Sequence, residues 1–533
     1  MYRIRKLFLM TQKLCQNQGL IRVFGIYIRC AHLILFFLMI LFVSTKIPYI
    51  VDNTFAFQFD HGKDSLAVLE MIVSRTPSLI GPWTSIPGLF FGPGWYYLLL
   101  PGYILSAGNP AAAVVTMVIL VVIQIYIAYK YFGLIEATMV ATVPTFFMVS
   151  QSAWNPHPMT LISFVILAIL KTLETQPKLT PKKSIILGFT SSLGFHFSTA
   201  FAIFYLPFII ISFFLKRVKV NFKQFLILFA AFFSGFIPQI IFEMRHDFIE
   251  TRAIIKYFSS GSMSINFIEK IKDVFLISFG EYKLAAFPEI VGSSKLISTI
   301  VICFSLTVIV IGLIEIIKKR RSMYLYQDLI MWIFLPLIGL SFLHYNLWYV
   351  LGAAPAVLLL VAQLVRSSPK PARIMILMLF VLTPLSKIVY YYQHDRALLL
   401  ENPNLLAVKL DVIGYVEDKI GDRNFSSYQY VPDIYDYSYQ YLYFWKAYNG
   451  KSLPIEFSYQ PNETSYVKEK NALLSVLPVR KGAPEMIFYI VEQPNSNANL
   501  LSNWWNHQAS SEIVNEKTFG SEVTVYDAVS IKY

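Results

Sequence analysis

Apolar segments long enough to cross a bilayer alternate along this chain with clusters of lysine and arginine, and that alternation limits the fold more than any other feature. Of the 533 residues, 56% are apolar and only 14% are charged, which excludes an ordinary soluble globular protein. The formal charge of +13 suggests a nucleic-acid partner at first sight, but it is unevenly spread. From Asp395 onward 12 basic residues meet 17 acidic ones, so the tail carries −5 and the preceding residues +18. A basic apolar part joined to a mildly acidic polar part is the pattern of a positive-inside membrane domain with an external domain, and no nucleic-acid-binding module is present. Cys15, Cys30 and Cys303 are too few for a disulfide framework or a thiolate metal site.

The charge clusters set the expected topology. Before Asp52 there is no acidic residue, whereas Arg3, Arg5, Lys6, Lys13, Arg22 and Arg29 precede the apolar run 31–45, so the N-terminus is expected in the cytoplasm. No small-residue cleavage site follows that run before Lys46 and Pro48, and it reads as an uncleaved first span. Basic clusters at Lys171 to Lys183, Lys216 to Lys223, Lys318 to Arg321 and Arg366 to Arg373 mark further cytoplasmic loops. Between Asp52 and Lys171 an odd number of crossings is required. The segment GWYYLLLPGYILSA (94–107) is therefore read as an interfacial or re-entrant helix, since its 14 residues rise only about 21 Å against a hydrocarbon core of about 30 Å. Its Trp95, Tyr96, Tyr97 and Tyr103 suit the headgroup region. Spans at 110–129, 134–150 and 159–172 follow, then two short legs within 184–215 whose turn at His196 to Ser198 is expected to be recessed. Spans at 225–241, 297–317, 327–343, 347–365 and 374–391 bring the expected total to about eleven transmembrane helices.

The expected fold class is an all-α polytopic membrane domain over residues 1–394, with external loops at 52–109 and 243–296, followed by an extracytoplasmic α/β domain over residues 395–533. In the tail LAVKLDVIGYVEDKI has helical spacing, EMIFYIVEQ reads as a buried strand, and EIVNEKTFGSEVTVYDAV reads as two strands around a Gly-Ser turn. The alternating tyrosines of DIYDYSYQYLYFW share one face if extended, or scatter around a helix.

Chemistry concentrates in the first external loop. Among the first 240 residues only Asp52, Asp60, Asp64, Glu70, Glu136 and Glu174 are acidic, and FQFDHGKDSLAVLEMI holds three of them together with His61 and Lys63. Asp60 and Asp64 share one helical face at i, i+4, close enough to hold a cation or to separate their pKa values, although a plain capped helix start has the same spacing. Histidines His61, His157, His196, His246, His344, His394 and His507 fall on or near the external side, as the lining of an outward cavity or as residues that tolerate an interface. The segment FEMRHDF places Glu243, Arg245 and His246 where a span ends, a mixture that suits an anionic headgroup or a solvated helix end. There is no H-E-x-x-H pattern, no phosphate-binding G-x-x-x-x-G-K loop and no G-x-S-x-G elbow.

The segments FDHGKD, LIGPWTSIPGLFFGPGWYYLLLPGYILSAGNP, SAWNPHP, LGFHFS, FEMRHDF and LHYNLWYVLGAAPAV resemble those of the GT-C superfamily of membrane glycosyltransferases, nearest the bacterial branch of protein mannosyltransferases and the lipid A aminoarabinose transferase. The resemblance spans nearly the whole chain, and its most general mark is the acidic turn. It implies transfer of a sugar, with inversion, from a polyprenyl-phosphate donor to an acceptor of unknown identity on the outer face of a cell membrane. A lipid phosphate leaves without protonation, so one carboxylate can suffice. The family's acidic residue maps onto Asp60, with Asp64 as second candidate. Lys63, Arg245, His246 and His344 are implied for the donor phosphate, and His61, Asn155, His157, His196, Glu243 and Tyr345 as cavity lining. Metal dependence differs within the superfamily, which leaves a divalent cation such as Mg or Mn undecided. The competing classes are a transporter or flippase of lipid-linked sugars and a surface-polysaccharide ligase or polymerase. A coupled carrier calls for ionisable residues at mid-span, of which this chain has few.

Overall fold

Prolines and glycine-containing breaks cut the apolar chain into helices of unequal length. A computed structural model describes residues 20–23, 26–259, 267–318, 324–342, 345–432, 435–463, 466–494, 496–508 and 511–530. Among them, Cys30–Val51, Ala111–Tyr131, Lys295–Lys318, Leu347–Ser367 and Lys370–Leu400 are long and apolar enough to cross a membrane. Two bent pairs, Leu134–Thr142 with Pro144–Gln151 (54°) and Phe222–Ser234 with Ile237–Arg245 (52°), raise the number from five to seven when each is one broken span. At the first break Val143 is extended and Pro144 opens the next helix, as expected where a proline ring denies the preceding residue the helical conformation. The charge pattern's eleven crossings include legs shorter than such a span. The stretch 184–215 is an example: it forms Pro181–Leu193 and Tyr205–Leu215 around a buried turn at His196, Phe197 and Ser198. The chain is thus a multi-pass membrane protein, mostly helical, with a small C-terminal sheet. A hairpin of β1 (Leu20–Val23) and β2 (Ile26–Arg29) precedes the first long helix.

Two helices between residues 52 and 109 position the site, an acidic helix at Phe59–Ser74 and a short one at Gly94–Leu105. The second is short, as expected, but its aromatic residues do not form a headgroup belt. Trp95, Tyr96 and Tyr103 are buried against protein, and only Tyr97 is exposed. The reason is polar: the Trp95 indole N–H and the Tyr103 hydroxyl find partners on the acidic helix, in Asp64 and Ser65.

The tail folds around a five-stranded sheet of order β4-β3-β5-β7-β6, in which β3 is Phe425–Tyr430, β4 Phe457–Ser458, β5 Met486–Glu492, β6 Ser511–Phe519 and β7 Val523–Ser530. Strands β3, β4 and β5 are parallel, and β7 runs antiparallel between β5 and β6. The inner strands β3 and β5 are buried throughout, because helices cover both faces. Phe488 and Ile490 face the helices Leu406–Ile420 and Tyr437–Tyr448, while Ile487, Tyr489 and Val491 face Trp504 of the helix Ala498–Asn506. The tail is tied to the segment 52–58 by backbone bonds of 3.0 Å from Leu406 N–H to Phe55 O, Ala407 N–H to Asn53 O and Phe57 N–H to Asn404 O. The tyrosine-rich segment is helical, so its tyrosines diverge. Tyr441 packs on Phe57 and Tyr103, and Tyr443 donates to Ser427 of β3 (2.7 Å).

Candidate active site

The acidic helix begins with Asp60 in its first turn, where a carboxylate also meets the positive end of the helix dipole. One Asp60 oxygen accepts from the Lys63 ammonium at 2.8 Å, and the other accepts from the Trp154 indole N–H at 3.3 Å. The side chain keeps 42% exposure and lines an open cavity of about 620 Å³ with Ala56, Gln58, Phe59, His61, Ser152, Trp154 and Tyr435. Trp154 is itself fixed edge-on against Trp348, with centroids 4.9 Å apart. Two segments nearly two hundred residues apart therefore set the orientation of one carboxylate.

Asp64 is built differently. It is 4% exposed, and only one of its oxygens has a partner, the Trp95 indole at 2.8 Å. Burial pushes its carboxyl up to about 7, against the opposing pull of Lys63. Burial alone would push the Lys63 ammonium down, but Asp64 and Asp60 outweigh it and its pKa is raised. Lys63 also lies over the rings of Phe59 (5.1 Å) and Trp83 (5.4 Å), and Lys468 of the tail lies over the same Trp83 ring at 5.0 Å. His61 accepts from the Gln58 backbone N–H at Nδ1 and donates from Nε2 to Ser152 (2.9 Å); burial holds it down at about 4, so it is neutral at physiological pH.

The remaining candidates are spread around this centre. Asn155 donates to Phe197 O (2.8 Å) and His157 donates to Ser152 O (2.7 Å), and both brace the turn that carries Trp154. Burial holds His157 at about 4. His196 does not line the Asp60 cavity. Its Nδ1 accepts from Gly94 N–H (2.9 Å) and its Nε2 donates to Gly235 O (3.1 Å), which makes it a tie between three segments. Glu243 accepts from the backbone N–H groups of Glu250 (2.8 Å) and Thr251 (3.0 Å) and so caps the helix Ile249–Ser259. From that helix Glu250 accepts from Phe90 N–H (3.0 Å), anchoring the loop between Phe59–Ser74 and Gly94–Leu105; burial pushes Glu250 up to about 7. Arg245 and His246 are exposed at the end of Ile237–Arg245, with His246 stacked on Phe242, and Met244 and Phe248 stand exposed beside them. Tyr345 shares a hydrogen bond with Ser278 (2.7 Å). His344 lies outside the described residues.

A divalent cation does not fit the two acidic residues. Asp64 turns to an indole donor, Asp60 already holds an ammonium, and no three His, Cys, Asp or Glu residues gather in a metal-binding group among the described residues. Sequence reasoning missed Trp95, Ser152, Trp154, Trp348 and Tyr435. Trp154 and Trp348 lay within segments singled out for other residues, whereas no local signal marked Trp95 as the partner of Asp64.

No protein-family model matches the chain, and no curated protein sequence does. Among solved structures, ArnT from Cupriavidus metallidurans bound to undecaprenyl phosphate superposes with a TM-score of 0.52 over 92% of this chain and 97% of that one, at 11% identity. The chain has the GT-C fold. The apo form of that ArnT superposes equally well, with a TM-score of 0.52. The archaeal oligosaccharyltransferase AglB from Archaeoglobus fulgidus, in complex with an inhibitory peptide and a dolichol-phosphate, gives a TM-score of 0.42 at 14% identity, over 88% of this chain and 70% of its own.

Proposed function

We propose that this GT-C chain is an inverting glycosyltransferase that moves a sugar from a polyprenyl-phosphate donor to an acceptor on the outer face of the membrane, with its N-terminus cytoplasmic and its tail external. The observation that carries this reading is Asp60: a half-exposed carboxylate, aimed by Trp154 and Lys63, opens onto a cavity of about 620 Å³. ArnT, solved with undecaprenyl phosphate, supports a lipid-phosphate donor. In the transfer the acceptor oxygen or nitrogen attacks the anomeric carbon and its proton passes to Asp60. The bond from that carbon to the phosphate oxygen breaks, and the phosphate leaves as an anion without needing an acid. Asp64 is buried and is not among the residues that line the Asp60 cavity, so it is not placed to reach the acceptor and instead anchors the helix to Trp95. Arg245 and His246, exposed beside apolar Met244 and Phe248, suit a phosphate at the membrane surface.

The test is transfer of labelled sugar from polyprenyl phosphate by the purified chain in detergent. Asp60→Asn keeps the shape and removes the base, so turnover is expected to fall about a hundredfold or more while carrier binding survives. Full activity in Asp60→Asn would overturn the mechanism.

A further inference from the structure

We infer that residues 176–183 and 216–224 together form a binding site for the phosphate headgroup of an anionic phospholipid, at the start of the broken span that begins at Phe222. The two segments are strapped to each other. Lys219 N–H donates to Pro177 O (2.8 Å) and Leu179 N–H to Lys219 O (3.2 Å), so that Lys178 and Lys219 lie side by side in a parallel bridge. The helices Pro181–Leu193 and Phe222–Ser234 start directly after the strap. They pack so closely that a side-chain carbon on Gly188 would stand 2.1 Å from Leu228 O.

The strap gathers charge of one sign. Its segments carry Lys178, Lys182, Lys183, Lys216, Arg217, Lys219 and Lys223 and no acidic residue. Lys216 is buried and pairs with Glu174 (3.0 Å) and Asp328 (2.7 Å), and Glu174 also holds Lys171 (2.5 Å), which uses up the neighbouring carboxylates. The other six cations form no ion pair among the described residues. Lys183 is half-buried and the remaining five are exposed. Arg217 is held with φ at +50°, so the turn fixes its place against the ordinary preference of its backbone. Both helices turn their positive dipole ends to the same spot, and the summed potential attracts an anion. Not every basic cluster is free in this way: Arg366 is spent on Glu136 and the Phe132 carbonyl.

The surroundings select the occupant. Ile185, Phe189, Phe222, Phe225 and Leu226 stand exposed on the same two helices, and Phe222 is the direct neighbour of Lys223. An anionic phospholipid matches both parts at once: its phosphate oxygens accept from the ammonium and guanidinium groups, and its acyl chains lie along the apolar side chains. A soluble phosphate uses only the first part. The inference concerns binding alone, and it depends neither on the transfer reaction nor on which side of the membrane the strap faces.

Native mass spectrometry of the delipidated full chain in detergent, titrated with phosphatidylglycerol or phosphatidylcholine, tests it. Phosphatidylglycerol is expected to bind saturably and about tenfold or more tightly than phosphatidylcholine. Joint replacement Lys182→Gln, Arg217→Gln and Lys219→Gln is expected to abolish that preference. Arg217→Gly removes one charge and relieves the left-handed backbone, so it keeps the fold and decides the matter should the triple variant fail to fold; it is expected to weaken phosphatidylglycerol about fivefold. Lys318→Gln with Lys370→Gln, which removes two cations elsewhere, and Arg245→Ala are expected to leave the binding unchanged. Equal binding of the two lipids would overturn the inference, and so would a preference that survives the triple variant or Arg217→Gly. A preference lost equally in the Lys318, Lys370 pair would reduce it to overall charge, and one lost in Arg245→Ala would move it to the end of Ile237–Arg245. Displacement of the lipid by inorganic phosphate would make the site one for soluble phosphate and overturn the assignment to a lipid.

Discussion

Gly62 of the acidic helix sits directly against the backbone of Ser438 in the tail: a side-chain carbon on Gly62 would stand 2.6 Å from the Ser438 α-carbon and 2.5 Å from the Tyr437 carbonyl carbon. The neighbouring atoms are backbone, so the contact cannot relax by a rotamer change. Gly62→Ala should therefore destabilise the protein by about 1–3 kcal/mol, despite alanine's better helix propensity. It should also lower transfer activity although both carboxylates remain. Thermal melting and turnover check this, and an unchanged melting temperature would show that the two helices are not in this contact.

Asp64 gives a pH signature. Its folded pKa of about 7 lies above the ordinary 3.8, so the folded state holds a proton that the unfolded chain releases. Its contribution to stability is complete below about pH 4 and is lost as pH rises through 7. Asp64→Asn cannot ionise and should gain stability relative to wild type as pH goes from 5 to 8. Comparing the two proteins at each pH cancels His61 and His157, whose lowered pKa values act with the opposite sign. Parallel melting curves across that range would contradict a buried, raised carboxyl.

Arg245→Ala should raise the KM for the lipid-phosphate donor by about tenfold and lower kcat less, the pattern for a group that holds the donor in ground and transition states alike. Steady-state kinetics at varied carrier concentration separate the two. An equal fall in kcat with KM unchanged would move Arg245 from donor binding to the reacting centre.

Trp154→Phe keeps the ring against Trp348 and deletes the donor to Asp60. Loss of that single hydrogen bond should lower turnover by about tenfold, with folding unchanged. A loss as large as that of Asp60→Asn would mean that the ring itself shapes the cavity.

The proposed orientation is open to a labelling experiment. Asn109 and Lys182 are both exposed and lie on opposite sides in the expected topology. A cysteine at Asn109 should react with an impermeant reagent in intact cells, and one at Lys182 only after permeabilisation. The reverse pattern would turn the cavity towards the cytoplasm.

Much of the scaffold was legible in the sequence because period and charge act locally. The apolar run of β5, the β6–β7 hairpin around Gly520 and Ser521, the helix Leu406–Ile420 and the shortness of Gly94–Leu105 all follow from residues within each segment. Asp60 stood out because acidic residues are scarce in the first 240 residues and gather around it. What closes the site was not legible, since it depends on pairs far apart in the chain. The Trp95 ring reads as a membrane-interface residue until Asp64 is seen beneath it. His196 reads as cavity lining until Gly94 and Gly235 occupy both its nitrogens. The tyrosines of the tail gave no hint whether strand or helix would place them, because each buried hydroxyl is satisfied by a different distant partner.

The wall of the Asp60 cavity includes Tyr435, and the sheet behind it is held by β7, whose residues 523–530 sit between β5 and β6. A ribosome makes the carboxylate long before the strand that secures its surroundings. Up to that moment a nascent chain carries Asp60 in an unfinished chamber, so a premature stop after Ser521 or Glu522, just before β7, should yield a membrane-inserted but inactive product. The order of synthesis thereby acts as a quality check, with reactivity withheld until β7 has been made.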